Sequence, residues 1–156
     1  MRITSLSIQN FRLFKSFDLK FHQELTVIVA PNGGGKTAIL DAIKIALGPY
    51  LSVFPTGKTS GIDNDDIRLI KTMPALGRME DALPSIIRAT GELDSPKPDA
   101  WHRERASRKG KTTIKDAKQL TVYGKSLQGK EANDESPENW PLLAYYGTGR
   151  LWNQLN

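Results

Sequence analysis

Two stretches near the start of the chain alternate apolar and polar side chains. Residues 3–9 and residues 17–21 both show this alternation, which has the two-residue period of a β-strand with one buried face. Because only a short connection separates them, we expect the two strands to pair as an antiparallel ribbon.

A continuous apolar run and a helical periodicity follow. Residues Leu25–Val29 are nearly all apolar and mostly β-branched, which is typical of a central strand buried on both faces. From Thr37 to Leu47 apolar residues recur at helical spacing, and Gly48 with Pro49 predicts the end of that helix. The pattern therefore predicts a strand, a glycine-rich connection and a helix in succession.

The residue pattern in the rest of the chain predicts further helices and strands. The strands rest on short apolar runs bounded by turn residues, and the helices rest on capping residues and apolar positions three or four apart. The predicted elements are a short helix from Asp65 to Lys71 capped by Asn64, strands at Ser85–Leu93, Ala100–Ala106 and Pro141–Tyr146, and a helix at Asp116–Gln128. This mixture predicts an α/β fold.

Composition narrows the class of protein. With 156 residues and 38% hydrophobic residues, the chain suits one domain with a single core. It contains no cysteine and only two histidines, which excludes disulfides and zinc sites built from thiolates. Neither a run of eighteen apolar residues nor a signal-peptide pattern is present, so we expect a cytoplasmic protein with no membrane partner.

Positive charge is concentrated in the second half of the chain. The net charge is +5, and residues 97–130 contain ten lysines or arginines against three acidic residues. Such a segment could bind nucleic acid by neutralising phosphates. A charge run is, however, more often a solvated face or a mobile loop.

The octapeptide Ala30–Thr37 fits the phosphate-binding P-loop pattern, with alanine where the first glycine is commonest. Glycines let successive backbone N–H groups curl around phosphate oxygens, and the following helix adds its positive end. Lys36 would reach the β- and γ-phosphates, and the Thr37 hydroxyl would ligate Mg²⁺. The candidate contacts for ATP are Ala30, Pro31, Asn32, Gly33, Gly34, Gly35, Lys36, Thr37 and Ala38.

Two other Gly-Lys-Thr triplets provide an internal comparison. They lie at residues 57–59 and 110–112. The position six residues before the lysine is Ser52 in one and Arg105 in the other, and neither triplet lies between an apolar strand and an apolar helix. Only the triplet at 35–37 has the setting that points loop amides at a ligand.

The N-terminal third of the chain resembles a known group of ATPases. The strand ending in Ile8–Phe14, followed by a second strand and the segment Pro31–Thr37, is similar to the N-terminal part of ABC-type ATPases of the SMC, RecF and OLD group. The resemblance implies the first lobe of an ABC-type P-loop NTPase head, preceded by the antiparallel ribbon. It also implies that Arg12 contacts the nucleotide and that Asn32 faces the γ-phosphate; the alternative for Arg12 is a solvated turn arginine.

The end of the chain resembles a narrower group. The segment Leu142–Trp152 looks like one found in PtuA-like ATPases of the Septu and retron anti-phage systems. The resemblance implies a strand leading to a Q-loop, for which Gln154 is a candidate. It also implies a partner nuclease, of the HNH type, that the ATPase regulates.

Motifs for hydrolysis are missing from the sequence. No apolar run is followed by Asp-Glu as in a Walker B motif, and Ser60-Gly61 lacks the surroundings of a signature loop. We expect residues 1–156 to form one partial ATPase domain that works with a second head or as a homodimer. Without the missing motifs, we expect ATP hydrolysis to be very slow or absent.

Four hypotheses for function remain at this point. The first is the ATP-binding lobe of a defence ATPase. The second is a lobe of a DNA repair or recombination ATPase, with the basic segment near DNA. The third is a small P-loop kinase or GTPase, against which the absence of an Asn-Lys-x-Asp string counts. The fourth is an interaction domain that is not an enzyme and has a vestigial P-loop.

Overall fold

A computed structural model describes residues 1–55, 57, 59–73, 77–94, 97–132 and 140–147. Within these residues the fold has six strands and two α-helices. They are β1 (Arg2–Phe11), β2 (Phe14–Lys20), α1 (Lys36–Leu51), β3 (Leu69–Met73), β4 (Arg78–Asp81), β5 (Ser85–Glu92), β6 (Asp99–Arg105) and α2 (Lys118–Ala132). Short 3-10 turns at Asn64–Asp66 and Lys115–Ala117 precede β3 and α2.

Four strands form an antiparallel sheet in the order β2-β1-β5-β6. Ile8 lies opposite Ile87, and Leu6 lies opposite Ala89, which in turn lies opposite Trp101. All five of these residues are buried, so the strands share one apolar face. The predicted N-terminal ribbon and the two predicted strands that became β5 and β6 are confirmed.

The two helices supply the rest of the core. Helix α1 contacts β1, β5, β6 and α2, and its Ala42, Ile45 and Ala46 are buried. On α2, Leu120 and Leu127 are buried at the helical spacing that predicted this element. Neither helix, within the described part of the chain, is long and apolar enough to cross a membrane.

The prediction of a buried central strand at Leu25–Val29 is wrong. These residues form no described strand, and Val29 is 88% exposed. Only alternate positions are half-buried, and Ile28 packs against the core. A β-branched run favours a strand only where a neighbouring strand accepts its backbone hydrogen bonds, and the described residues provide none beside it.

The predicted buried strand at Pro141–Tyr146 is also wrong. It forms no strand in the structure, and Leu142 is 90% exposed. Leu143 is the residue of this segment that packs against the core. As with residues 25–29, an apolar sequence pattern alone does not provide a partner strand.

Helix α1 does not end at Gly48 as predicted but continues through Pro49 to Leu51. Proline lacks the N–H that would bond the carbonyl oxygen of Ile45 one turn earlier. Arg103 Nη1 on β6 donates to that oxygen at 2.9 Å instead. A β-carbon on Gly48 would lie 3.0 Å from the same nitrogen, so glycine at this position lets the guanidinium approach the helix.

Arg103 is 4% exposed although it carries a charge. Its Nε donates to the Thr113 carbonyl oxygen at 2.6 Å, and Nη1 also lies 3.5 Å from the Ser60 carbonyl oxygen. Burial lowers the pKa of Arg103 below its ordinary value. This side chain therefore connects α1 to two loops through carbonyl oxygens.

The predicted helix from Asp65 to Lys71 is replaced by the 3-10 turn and by β3, which pairs with β4 in a hairpin that the sequence did not predict. The cause is pairing with the end of β1. Ile67 forms an antiparallel bridge with Phe11, and Arg68 N donates to the Asn10 carbonyl oxygen at 3.1 Å. These contacts hold the chain extended where a helix would otherwise continue.

Replacing Arg103 with leucine should lower the free energy of unfolding by roughly 2–4 kcal/mol, because buried carbonyl oxygens lose their donor. Arg88→Leu is the matched control, since Arg88 lies exposed on the adjacent strand β5 and its replacement should change stability by about 0.5 kcal/mol or less. Urea unfolding of both variants measures the difference. Equal losses would contradict a bridging role for Arg103.

Candidate phosphate-binding site

The glycine-rich loop leads directly into α1, as the P-loop pattern predicts. Gly34 N donates to the Pro31 carbonyl oxygen at 3.0 Å, which closes the turn. Gly35 then caps the helix with φ +88°, and Gly33 has φ +79°. Both values lie in the left-handed region that favours glycine.

The turn between β1 and β2 packs against this loop. A β-carbon built on Gly35 would lie 2.5 Å from the Phe14 ring and 2.9 Å from Leu13 Cδ2. A β-carbon on Gly34 would meet the Ala30 side chain at 2.8 Å. Close packing therefore reinforces the need for glycine at both positions.

A cleft of about 430 Å³ lies between the turn and the loop. It is lined by Arg12, Leu13, Asn32, Gly33, Gly34, Gly35, Lys36, Thr37 and Ala38. Of the predicted contacts, only Ala30 and Pro31 on the loop, and the separate candidate Gln154, are not in this lining. Gln154 lies outside the described residues.

The start of α1 favours an anion. The first N–H groups of a helix have no partner within the helix, and the helix dipole places partial positive charge there. The first turn of α1 contains no acidic residue. Thr37, the predicted magnesium ligand, is exposed in this turn.

Lys36 extends back across the loop. Its Nζ donates to the Ala30 carbonyl oxygen at 2.5 Å and to the Pro31 carbonyl oxygen at 2.9 Å. An ammonium group has three donors, so one remains for another acceptor. Ala30 and Pro31 thus contribute to the site through their carbonyl oxygens, by orienting the lysine.

Arg12 lines the cleft and is held by two carboxylates. Its Nε donates to Asp66 Oδ1 and its Nη1 donates to Asp41 Oδ2, both at 2.7 Å. Burial lowers the pKa of Arg12, and the hydrogen bonds to Asp66 and Asp41 more than offset this, so the pKa lies above its ordinary value. The alternative of a solvated turn arginine does not fit these contacts. Contact with a nucleotide stays a prediction.

Comparison with known proteins identifies the family. A family model described as "AAA domain" matches residues 5–156. The chain belongs to this AAA domain family. Its membership confirms the predicted P-loop NTPase class.

Individual relatives of this AAA domain match shorter stretches. The chain is 43% identical over 47 residues to a DNA double-strand break repair Rad50 ATPase from Methanopyrus kandleri, which covers 30% of this chain and 5% of the relative. It is 42% identical over 67 residues to an OLD nuclease from Thermus scotoductus, 43% of this chain and 12% of the relative. It is 46% identical over 43 residues to the DNA replication and repair protein RecF from Psychromonas ingrahamii, 28% of this chain and 12% of the relative.

Together with a match of 41% identity over 46 residues to the chromosome partition protein Smc from Methanocaldococcus jannaschii, which covers 30% of this chain and 4% of that protein, the OLD nuclease and RecF matches confirm the predicted likeness to the SMC, RecF and OLD group. The matched parts make up only 4% to 12% of the four relatives.

Three residues at the site of this AAA domain were not predicted. Asp41 and Asp66 hold Arg12, and the Tyr145 hydroxyl donates to Asp41 Oδ1 at 2.5 Å. Asp41 follows Thr37 by one helical turn, so its place beside the P-loop is visible in the sequence once the helix is assigned. Asp66 lies in the segment predicted as a helix capped by Asn64, and nothing in the sequence pairs it with Arg12.

Gly33→Ala and Gly35→Ala should destabilise the AAA domain unequally. Each places alanine at a positive φ, which costs about 1 kcal/mol. Only at Gly35 does the new methyl group also collide with Phe14, whereas no atom lies within 4 Å of a β-carbon on Gly33. We expect a loss of about 1 kcal/mol for Gly33→Ala and roughly 2–4 kcal/mol for Gly35→Ala, measured by urea unfolding. Equal losses would show that Phe14 does not constrain the loop.

Proposed function

We propose that this AAA domain binds ATP with Mg²⁺ in the cleft at the start of α1. The observation that carries the proposal is the glycine loop, which opens onto a helix N-terminus free of acidic side chains in its first turn and holds Lys36 across its opening. Backbone amides in such a loop bind phosphate oxygens.

Each lining residue has a chemical role under this proposal. The Lys36 ammonium donates to oxygens of the β- and γ-phosphates, with its third N–H or in place of a bond to a loop carbonyl oxygen, and the exposed Thr37 hydroxyl ligates Mg²⁺. Asn32, exposed in the turn of the loop, faces the γ-phosphate. Arg12 adds a planar cation suited to phosphate oxygens.

We further propose that the chain acts as the first lobe of an ABC-type head, with the Walker B and signature residues supplied by other polypeptide. A second head or a second copy of the chain would bring the signature loop. The support is the likeness to the SMC, RecF and OLD group and the small fraction of each relative that is matched. Without those residues, phosphoryl transfer lacks its base and part of its charge stabilisation.

For the biological role we propose an anti-phage ATPase that regulates a partner nuclease of the HNH type. The support is the resemblance of Leu142–Trp152 to PtuA-like ATPases, together with the similarity to a protein named OLD nuclease. The test is the efficiency of phage plating on cells that express the ATPase together with its partner nuclease. Protection that Lys36→Ala abolishes would support it, and protection that survives the substitution would contradict it.

The second candidate function is DNA binding by a lobe of the repair type. A basic cleft formed by residues 59–63 and 103–114 favours it. The lining of this cleft, which has a volume of about 440 Å³, includes Arg103, Arg105, Lys109 and Lys111, with Asp63 as its acidic residue. The two arginines donate to carbonyl oxygens and to Asn64. Lys109 and Lys111 are exposed and suited to neutralising phosphates.

Lys36→Ala should weaken ATP binding in the presence of Mg²⁺ by roughly 10- to 100-fold, because a hydrogen bond to a charged group contributes about 1.5–3 kcal/mol. Lys111→Ala is the matched control, since it removes the lysine of another Gly-Lys-Thr triplet and should leave the affinity unchanged. Titration with fluorescently labelled ATP measures both. An unsubstituted chain that binds no ATP would favour the vestigial interaction domain instead.

Replacing Lys109 and Lys111 together with alanine should reduce the salt dependence of DNA binding by roughly two units in the slope of log K against log salt, since each phosphate contact contributes about 0.9. The charge-matched control is Lys15→Ala with Lys20→Ala, on β2 at the opposite edge of the sheet. Affinity for a duplex is measured at several salt concentrations. Equal slopes in the two double variants would exclude this cleft as the DNA contact.

A further inference from the structure

Three side chains from distant parts of the sequence meet beside the cleft at the start of α1. The Asp41 carboxylate on α1 accepts a hydrogen bond from Arg12 Nη1 through Oδ2, at 2.7 Å, and one from the Tyr145 hydroxyl through Oδ1, at 2.5 Å. Asp41 itself is not among the residues that line the cleft. Its contact with a ligand would therefore be indirect.

We propose that Asp41 is a positioning residue, which orients the Arg12 guanidinium so that Arg12 binds the nucleotide phosphates. This inference rests on the proposed nucleotide-binding function. It extends that function to a side chain outside the cleft.

The two carboxylates leave part of the guanidinium available. A guanidinium has five N–H donors in a fixed plane. Asp66 takes the donor on Nε, and Asp41 takes one on Nη1. Nη2 has no hydrogen-bond partner within the described residues, so it is the terminal nitrogen left for phosphate oxygens.

The backbone of Arg12 is fixed as well. Its φ is +49°, and its N–H donates to the Asp66 carbonyl oxygen at 2.6 Å. A long side chain normally loses rotamer freedom when it binds a ligand, and prior fixation reduces that loss. Asp41 provides the fixation at the far end of the guanidinium, where rotation would otherwise displace Nη2.

Tyr145 holds the carboxylate from the other side. Because its hydroxyl bonds Oδ1, Oδ2 stays directed at Arg12. The hydrogen bond to Asp41, with burial, raises the pKa of Tyr145 to about 12, so the hydroxyl is a donor at neutral pH. Lys44 Nζ lies 5.0 Å from the centre of the Tyr145 ring, which is within cation–π range.

The carboxylate has a second possible effect of opposite sign. A negative charge near the cleft repels nucleotide phosphates, so its removal would strengthen binding if electrostatic repulsion were larger than positioning. The two effects predict opposite changes in affinity, and the substitutions below separate them.

The test is a double-mutant cycle on the 156-residue chain, with affinity for labelled ATP and Mg²⁺ as the measurement. Asp41→Ala should weaken binding by roughly 3- to 10-fold. The same substitution in an Arg12→Ala background should cause no further loss, because Asp41 acts through Arg12. Asp41→Asn keeps an oxygen acceptor for Nη1 without the charge and should restore most of the affinity.

Three results would overturn the inference. Tighter binding in both Asp41 variants would identify electrostatic repulsion as the main effect. If Asp41→Ala weakens ATP binding as much in the Arg12→Ala background as in the unsubstituted chain, Asp41 acts independently of Arg12. If Asp41→Ala alone leaves the affinity for ATP unchanged, Asp41 does not position Arg12 for binding. If the unsubstituted chain binds no ATP, the proposed function fails as well; if it binds and Asp41→Ala has no effect, only this inference fails.

Discussion

The site depends on the contact between the β1–β2 turn and the first residue before α1. Phe14 and Leu13 approach Gly35 so closely that a β-carbon there would collide with both. Since Gly35 caps the helix at φ +88°, this one contact fixes where the helix begins and which way the loop amides point. It also brings Arg12, which lies in the same turn, to the cleft.

Near its other end, α1 is hydrogen-bonded to strand β6 of the four-stranded sheet. Arg103 donates to the Ile45 carbonyl oxygen that Pro49 leaves free, and Trp101 Nε1 donates to the Ala46 carbonyl oxygen at 3.0 Å. Both donors come from β6, whereas the contact at Gly35 comes from the turn between β1 and β2. The helix is thus fixed at two points along its length, which limits movement of the loop relative to the sheet.

The sequence predicted the features that depend on residues close together in the chain. The glycine loop, the ribbon and the buried face of α2 depend on spacing within one segment, and the structure has all three. The errors at Val29, Leu142 and Pro49 share a different cause: each depends on a partner far away in sequence. A strand requires a neighbour, and a proline within a helix requires a donor for the free carbonyl oxygen. For the same reason, the pairing of Arg12 with Asp41 and Asp66 could not be predicted.

If the cleft binds phosphates as proposed, the hydrogen bonds already made within the site limit the affinity. Lys36 donates twice to loop carbonyl oxygens, and Arg12 donates to two carboxylates. A ligand that competes for these donors gains only the difference between the old and new bonds. A ligand that takes the remaining donors gains them in addition, and finds both cations already oriented. For the proposed phosphate ligand, we therefore expect affinity to depend less on the total positive charge of the cleft than on the number of donors that the protein leaves unused.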